Sequence, residues 1–440
     1  MFSNKAILLI LTALVFAGCE TNSNQSSNQN TQVSTNTNSN SNTAINTKPN
    51  DAIRRNAGLP VTLPLIDAMF TDESFTQEAK TAVQLSDEEL AKIQDASRNA
   101  VLELSGEPSE DDARSTRASV EKTRQEIEKI IGPERTSRFF DLIRTRWSGD
   151  DQGSVRALPN SIPTDSRIVV NAPAYRMDVF RDGKLTKTYK VGIGYPEFPL
   201  PVGLRKASEI IFNPTWTPPD EPWVKGKIQP GKKVEAGSKL NPLGPIKIPI
   251  GLPSLVHGGK DPSRLGTFAS HGCVGLTNGG VQDFARELSA LSGSEITPQE
   301  IKDFTKQKTE TKNIKLTNPV PVELRYETIV VEDGKVLIYR DVYERGTNTE
   351  ENLRNVLQVY GVSLEGISEH ERAALREALE KMAVDARGER VAEPSNQNEN
   401  SEKNNSSKVT RNIKGEKSIT IEIASLRGKG YPAPVDLVEN

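Results

Sequence analysis

Cysteine and histidine are nearly absent from the chain. Its 440 residues hold two cysteines, Cys19 and Cys273, and three histidines, His257, His271 and His370. A disulfide-stapled scaffold is thereby excluded, because one bridge is the most that could form. Aromatic residues make up 5% and hydrophobic residues 35% of the chain. That is poor for one globular body of this length, so part of the chain must pack nothing. A basic excess is also missing: 56 lysines and arginines face 59 acids, for a net charge of -3. That balance argues against nucleic acid as a partner. The 31 glycines and 27 prolines are near average usage, so the chain is neither collagen-like nor a proline-rich stalk.

What is present begins with an export signal. Lys5 precedes an apolar run over residues 6–16, closed by Ala17-Gly18-Cys19. The run is too short for a permanent membrane helix and ends in small residues, as a cleaved signal does. Cleavage just before a cysteine resembles the lipobox of bacterial lipoproteins, although Phe16 is unusual at its position. The resemblance implies that the Cys19 thiol takes a diacylglycerol and becomes the new N-terminus. The alternative is an ordinary secreted protein with Cys19 free or disulfide-bonded. If Cys19 carries lipid, Cys273 is the one thiol left in the mature chain and a candidate nucleophile.

The chain divides by composition. Residues 1–19 are the signal ending at the lipidated cysteine, and 20–50 form an Asn/Ser/Thr-rich tether. Such a tether buries too little to offset its ordering entropy and would be disordered, spanning roughly 30 Å. Residues 51–150 have helical periodicity and read as two or three amphipathic helices. Ser86 is an N-cap before Leu90 and Ile93, and Gly132-Pro133 ends a stretch carrying Ile127, Ile130 and Ile131. The third runs through Phe139, Phe140, Ile143 and Trp147, and packing or spacing is its expected role.

Over residues 160–345 the texture changes to strands and turns. Strands are expected at 167–171, 176–180 and 185–191, the latter two joined across Asp182-Gly183. Helices are expected over 279–291 and from the capping box Thr297-Pro298-Gln299-Glu300, then a hairpin of 320–331 with 335–340 across Asp333-Gly334. Helices return over 346–392, with a second capping box from Ser368 to Glu371. A disordered linker over 393–415 leads to a tail, 416–440, whose Ile419, Ile421 and Ile423 alternate like a strand that needs a partner.

Chemistry concentrates between His257-Gly258-Gly259 and Ala269-Ser270-His271-Gly272-Cys273-Val274-Gly275. A cysteine attacks as thiolate, and a nearby imidazole can take its proton and return it to a leaving amine. Spacing leaves either histidine eligible as that base. Gly272 permits a close backbone approach and exposed amides, as an oxyanion site needs. Three rivals compete: a structural cysteine beside a satisfied histidine, a zinc site, and a redox thiol. Zinc would lack a fourth ligand, and His-x-Cys spacing suits it poorly, so no metal and no cofactor is expected. A redox thiol would lack a resolving cysteine.

Ser270-His271-Gly272-Cys273-Val274, preceded by His257-Gly258, resembles the signature of L,D-transpeptidases of the YkuD type. Asn171-Ala172-Pro173-Ala174-Tyr175-Arg176, Gly192-Ile193-Gly194, Asn213-Pro214-Thr215-Trp216, Asn241-Pro242-Leu243-Gly244-Pro245 and Arg340-Asp341-Val342-Tyr343 follow in the family's order. The resemblance covers about residues 160–345. It implies a mainly β catalytic domain, a YkuD-like β-sandwich, with α-helical segments flanking it here. It also implies a cysteine acyltransferase acting on peptidoglycan stem peptides. Cys273 would be the nucleophile and His257 the base, oriented by the Gly258 carbonyl. Ser270, His271 and Gly272 would shape the nucleophile loop, with the Gly272 and Cys273 amides as oxyanion donors. Acylation by carbapenems would follow, and so would residence in the cell envelope, lipid-anchored to a membrane facing the peptidoglycan.

One position departs from the pattern: many relatives carry arginine where this chain has Gly275. If that arginine holds an acidic substrate group, another cation must replace it, and Lys225, Lys227, Lys232, Lys233, Lys239 and Lys247 offer a basic stretch. The expected reaction is 3→3 crosslinking through a thioester on tetrapeptide stems. Rival acceptors are water, making an L,D-carboxypeptidase, or an anchor lipoprotein to be joined to the wall. A wall-binding lipoprotein with a dead domain is disfavoured by the intact motif.

Overall fold

The computed structural model describes residues 58–104, 115–148, 158–218, 228–229, 231–251, 254–389 and 409–438. The signal with Cys19, the tether and residues 393–408 of the linker lie outside them.

Five helices form the N-terminal part: α1 (Leu63–Met69), α2 (Glu73–Val83), α3 (Asp87–Glu103), α4 (Thr116–Ile131) and α5 (Pro133–Ser148). The last three are the stretches read from periodicity; α1 and α2 are additional. In α1 six of seven residues are buried, so it has no polar face to reveal a period. In α2 the buried stripe is only Phe75, Ala79 and Val83. Ser86 caps α3 in a capping box: its Oγ accepts from the Glu89 amide at 3.2 Å, and Glu89 accepts from the Ser86 amide at 3.0 Å. The five helices close on Leu65, Phe75, Phe139, Phe140, Ile143 and Trp147. Burying each such side chain stabilises by roughly 1.5–3 kcal/mol.

The catalytic segment is mainly β, as expected, and forms one curled mixed sheet. Its strands are β1 (Arg167–Asn171), β2 (Arg176–Arg181), β3 (Lys184–Lys190), β5 (Gly203–Phe212), β6 (Ile246–Pro249), β7 (Leu255–His257), β9 (Val274–Gly275) and β10 (Lys312–Arg325). Their spatial order is β3-β2-β1-β10-β5-β6-β7-β9, and β4 (Ile193–Gly194) pairs separately with β8 (Phe268–Ser270). Helix α6 (Asn278–Ser292), capped by Thr277, buries Val281, Phe284 and Leu288 in the same core as Ile246, Ile248, Val256 and Val274. Helix α7 (Pro298–Lys306) follows, with the Thr297 capping box as read.

The expected hairpin starts later than predicted. Residues 320–325 continue β10 and pair with β1 and β5. The hairpin is β11 (Ile329–Glu332) with β12 (Lys335–Tyr339). The chain leaves the sheet because the Asn171 side chain binds Glu327 on both sides. It accepts from the Glu327 amide and donates to its carbonyl, each at 2.9 Å. This hairpin packs against α8 (Glu350–Val359) and α9 (Glu369–Met382) in a core of its own. The tail strand finds its partner here: β13 (Ser418–Glu422) lies antiparallel to β12.

The rest of the tail returns to the catalytic segment. Lys417 Nζ donates to the Gly266 carbonyl at 2.6 Å, and Tyr431 Oη donates to Asp178 at 3.0 Å. Arg411 Nε donates to Glu197 at 3.0 Å.

Candidate active site

Alternation along β7 sorts its side chains. Val256 points into the core, leaving Leu255 and His257 on the opposite face. Strand β9 runs parallel to β7 with His257 opposite Gly275 and Val256 opposite Val274. That register sets Cys273, one residue before β9, beside Leu255 and two residues along the strand from the position opposite His257. The two residues that chemistry would pair thus come from neighbouring strands.

His257 is 4% exposed, and its Nδ1 lies 2.7 Å from the Gly258 carbonyl. A carbonyl only accepts, so Nδ1 carries the proton and Nε2 keeps its lone pair. Burial, with help from the Lys260 charge, holds the imidazole down at about 3. Cys273 is a free, partly exposed thiol. Burial pushes its pKa up, against the opposing pull of the Leu255 backbone hydrogen bond and the Lys260 charge. The pair therefore rests as neutral thiol and neutral imidazole, and the imidazole can act as a base once a substrate carbonyl arrives.

The nucleophile loop is tied internally. The Ser270 hydroxyl donates to the Cys273 carbonyl at 2.5 Å and accepts from the Cys273 amide at 3.0 Å. The Cys273 amide, an expected oxyanion donor, is thus engaged with Ser270, whereas no hydrogen bond is made by the Gly272 amide among the described residues. Gly272 adopts φ +84°, a left-handed conformation that a side chain would strain. Its carbonyl accepts from Ser254 Oγ at 2.8 Å.

His271 is gripped by aromatic rings. Its ring is held edge-on by Tyr195 and Phe198, each with centroids 5.0 Å away. Burial, then the Arg411 and Lys260 charges, lower its pKa to about 3. Tyr195 also anchors the loop through its amide, which donates to the Ser270 carbonyl at 2.7 Å.

Three contributors escaped the sequence reading. Trp147 brings its indole from the helical bundle to Gly272 and donates Nε1–H to the Pro199 carbonyl at 2.9 Å. Glu197, 1% exposed, carries the Arg411 ion pair beside Tyr195. Lys260 lies across Gly275: a Cβ there would stand 2.8 Å from both its Cγ and its Cε. Lys260 follows His257-Gly258-Gly259 directly and was readable there; Trp147 and Glu197 carried no signal. Of the basic stretch, Lys225 and Lys227 lie outside the described residues, Lys232, Lys233 and Lys239 are exposed, and Lys247 is half-buried on β6. Among the described residues no cluster of His, Cys, Asp and Glu could hold a metal ion.

Residues 165–320 match the family model of YkuD, the L,D-transpeptidase catalytic domain. This is the family that the Ser270–Val274 motif resembles, and the segment is a catalytic domain of that family. No curated protein matches the chain. Among solved structures, the chain is similar to the catalytic domain of the Enterococcus faecium L,D-transpeptidase. The two are 15% identical with a TM-score of 0.25, over 38% of this chain and all of that one. The same domain acylated by ertapenem matches at 18% identity and TM-score 0.22, over 37% and 98% of the two chains. An L,D-transpeptidase from Mycobacterium smegmatis matches at 15% identity and TM-score 0.23, over 37% of this chain and 58% of that one.

Proposed function

We propose that the chain is a peptidoglycan L,D-transpeptidase that forms 3→3 crosslinks through a thioester on Cys273. The observation that carries this reading is the His257–Gly258 hydrogen bond of 2.7 Å. It leaves Nε2 as a proton acceptor on the strand next to the one that Cys273 opens.

The steps then follow from the residues. His257 Nε2 takes the thiol proton as Sγ attacks the carbonyl of the third stem residue. The tetrahedral oxyanion forms beside the Gly272 amide. Collapse breaks the amide bond, and the imidazolium returns its proton to the departing D-alanine amine. The side-chain amine of a diamino acid on a second stem attacks the thioester, His257 accepts its proton, and the thiol is regenerated. Each half-reaction moves one proton through one imidazole, so no cofactor is needed.

Export and lipid attachment at Cys19 belong to the same proposal, supported by residues 5–19 alone. They would place the enzyme in the cell envelope, tethered to a membrane facing the peptidoglycan. Incubating the purified chain with tetrapeptide muropeptides and weighing the products by mass spectrometry tests the reading. Crosslinked dimers with loss of one D-alanine are expected. Tripeptides alone would make it an L,D-carboxypeptidase, and unchanged muropeptides would overturn the assignment.

A further inference from the structure

We propose that Lys260 is the carboxylate-recognition residue of this site, pairing with the free C-terminal carboxylate of the donor stem as it lies against Cys273. The proposal rests on the transpeptidase reading for its substrate, but its geometry stands on the chain itself.

Lys260 is clamped by its backbone. Its amide donates to the Leu276 carbonyl at 3.1 Å, and the Leu276 amide donates to the His257 carbonyl at 2.8 Å. From there the side chain runs over Gly275, whose lack of a Cβ leaves room for the Lys260 methylenes. Lys260 is half-buried, and its ammonium has no carboxylate or other hydrogen-bond partner among the described residues. The Lys260 Cε lies against Gly275, two residues on from Cys273, and the Lys260 and Cys273 charges each act on the other's ionisation. The next cation felt by Lys260 is Arg264, which makes the surroundings more positive.

An unpaired cation beside a nucleophile selects substrates with an anion close to the attacked carbonyl. In a stem peptide cut before its last residue, the terminal carboxylate is three bonds from that carbonyl carbon, about 4 Å away. Internal peptide bonds have no such group. Lys260 would therefore confine cleavage to the chain end and release the terminal residue as a free amino acid.

The test uses the full chain and two alkylating agents of equal shape and different charge. Iodoacetate and iodoacetamide react with the same thiolate, so their rate ratio cancels any change in thiol ionisation and reports the local charge. Lys260→Met, which keeps the stem, should lower the iodoacetate-to-iodoacetamide ratio about tenfold, the scale of one hydrogen-bonded charge pair. Lys260→Arg should keep it, and added salt should shrink the wild-type ratio. In parallel, a stem tetrapeptide should be processed better than its C-terminal amide by the wild type, with KM carrying the difference. The Met variant should lose that preference. An unchanged alkylation ratio in Lys260→Met, or an unchanged acid-to-amide preference, would overturn the proposal. If the wild type cleaves neither peptide but its alkylation ratio depends on Lys260, the transpeptidase reading fails and the carboxylate site stands.

Discussion

Trp147, from the core of the helical part, touches Gly272 of the catalytic segment: a Cβ on Gly272 would lie 3.3 Å from the indole Cζ2. The tryptophan closes α5 and is 3% exposed. Its carbonyl also accepts from Arg205 Nη2 at 2.5 Å, so both ends of the residue are fixed to the catalytic segment. The helical part thus buttresses the backbone that precedes Cys273. Gly272→Ala should slow Cys273 alkylation and destabilise the chain by about 1–2 kcal/mol through its left-handed backbone alone. Trp147→Ala should be worse, at about 3–5 kcal/mol for an aromatic core deletion. Thermal unfolding and iodoacetamide kinetics on both variants check this. If Trp147→Ala unfolds earlier but reacts at the wild-type rate under folding conditions, the bundle is not a buttress.

The legible part of this protein was whatever carries its own local signal. The Ser86 cap and the capping boxes at Thr297 and Ser368 gave helix starts because the capping partners are close in sequence. Asp182-Gly183 gave the β2–β3 turn because both residues have positive φ. The motif residues from His257 to Cys273 could be named because few side chains do that chemistry. What stayed hidden depends on distant partners. Strand β10 runs on through 320–325 because β1 and β5 flank it, and the alternation of the tail strand did not say that β12 is its partner. Glu197 meets Arg411 across 214 residues, a pairing that no local pattern encodes.

That ion pair carries a pH-dependent prediction. Burial raises the Glu197 pKa, and the Arg411 charge works against the rise. Arg411→Ala leaves the buried carboxylate unpaired and should lower stability at neutral pH by a few kcal/mol. The folded pKa then rises further above the unfolded value, about 4.3. A carboxyl whose folded pKa is raised destabilises the fold increasingly as pH climbs from the unfolded value towards the folded one. The Tm gap between variant and wild type should therefore narrow on acidification towards pH 4.5. Glu197→Gln in the Arg411→Ala background should recover most of the loss. A gap that is constant with pH would mean the arginine acts through its packing on Tyr195 instead.

Cys273→Ala should abolish acylation while leaving the fold intact, since a small, partly exposed thiol contributes little packing. Intact-mass measurement after incubation with a carbapenem checks it: one adduct on the wild type and none on the variant. Turnover retained in the variant would end the nucleophile assignment.

Cys19→Ser should release an active enzyme from the membrane fraction. Lipid anchors by about 0.8 kcal/mol per buried CH₂, so removing the acyl chains removes the attachment. Fractionation after a salt wash reads this directly. A variant that still sediments with membranes would place the anchor elsewhere.

The two histidines should separate by pH. His257 keeps Nε2 available by donating Nδ1–H to Gly258, so His257→Ala removes the proposed base. Acylation should fall by about 10²–10⁴-fold, the usual share of general acid–base catalysis. Because burial holds the Cys273 thiol above its ordinary value, little thiolate exists at neutral pH without help. The defect should shrink as pH rises and the thiol ionises unaided. His271 is gripped by Tyr195 and Phe198, and its removal opens a gap beneath the nucleophile loop. The His271→Ala defect should persist at high pH and come with a lower Tm. Neither histidine should show a titration near 6.5 in the folded enzyme, since both are held at about 3. Rates of Cys273 alkylation from pH 6 to 10 in both variants decide the matter. If alkali rescues His271→Ala and leaves His257→Ala impaired, His271 is the base.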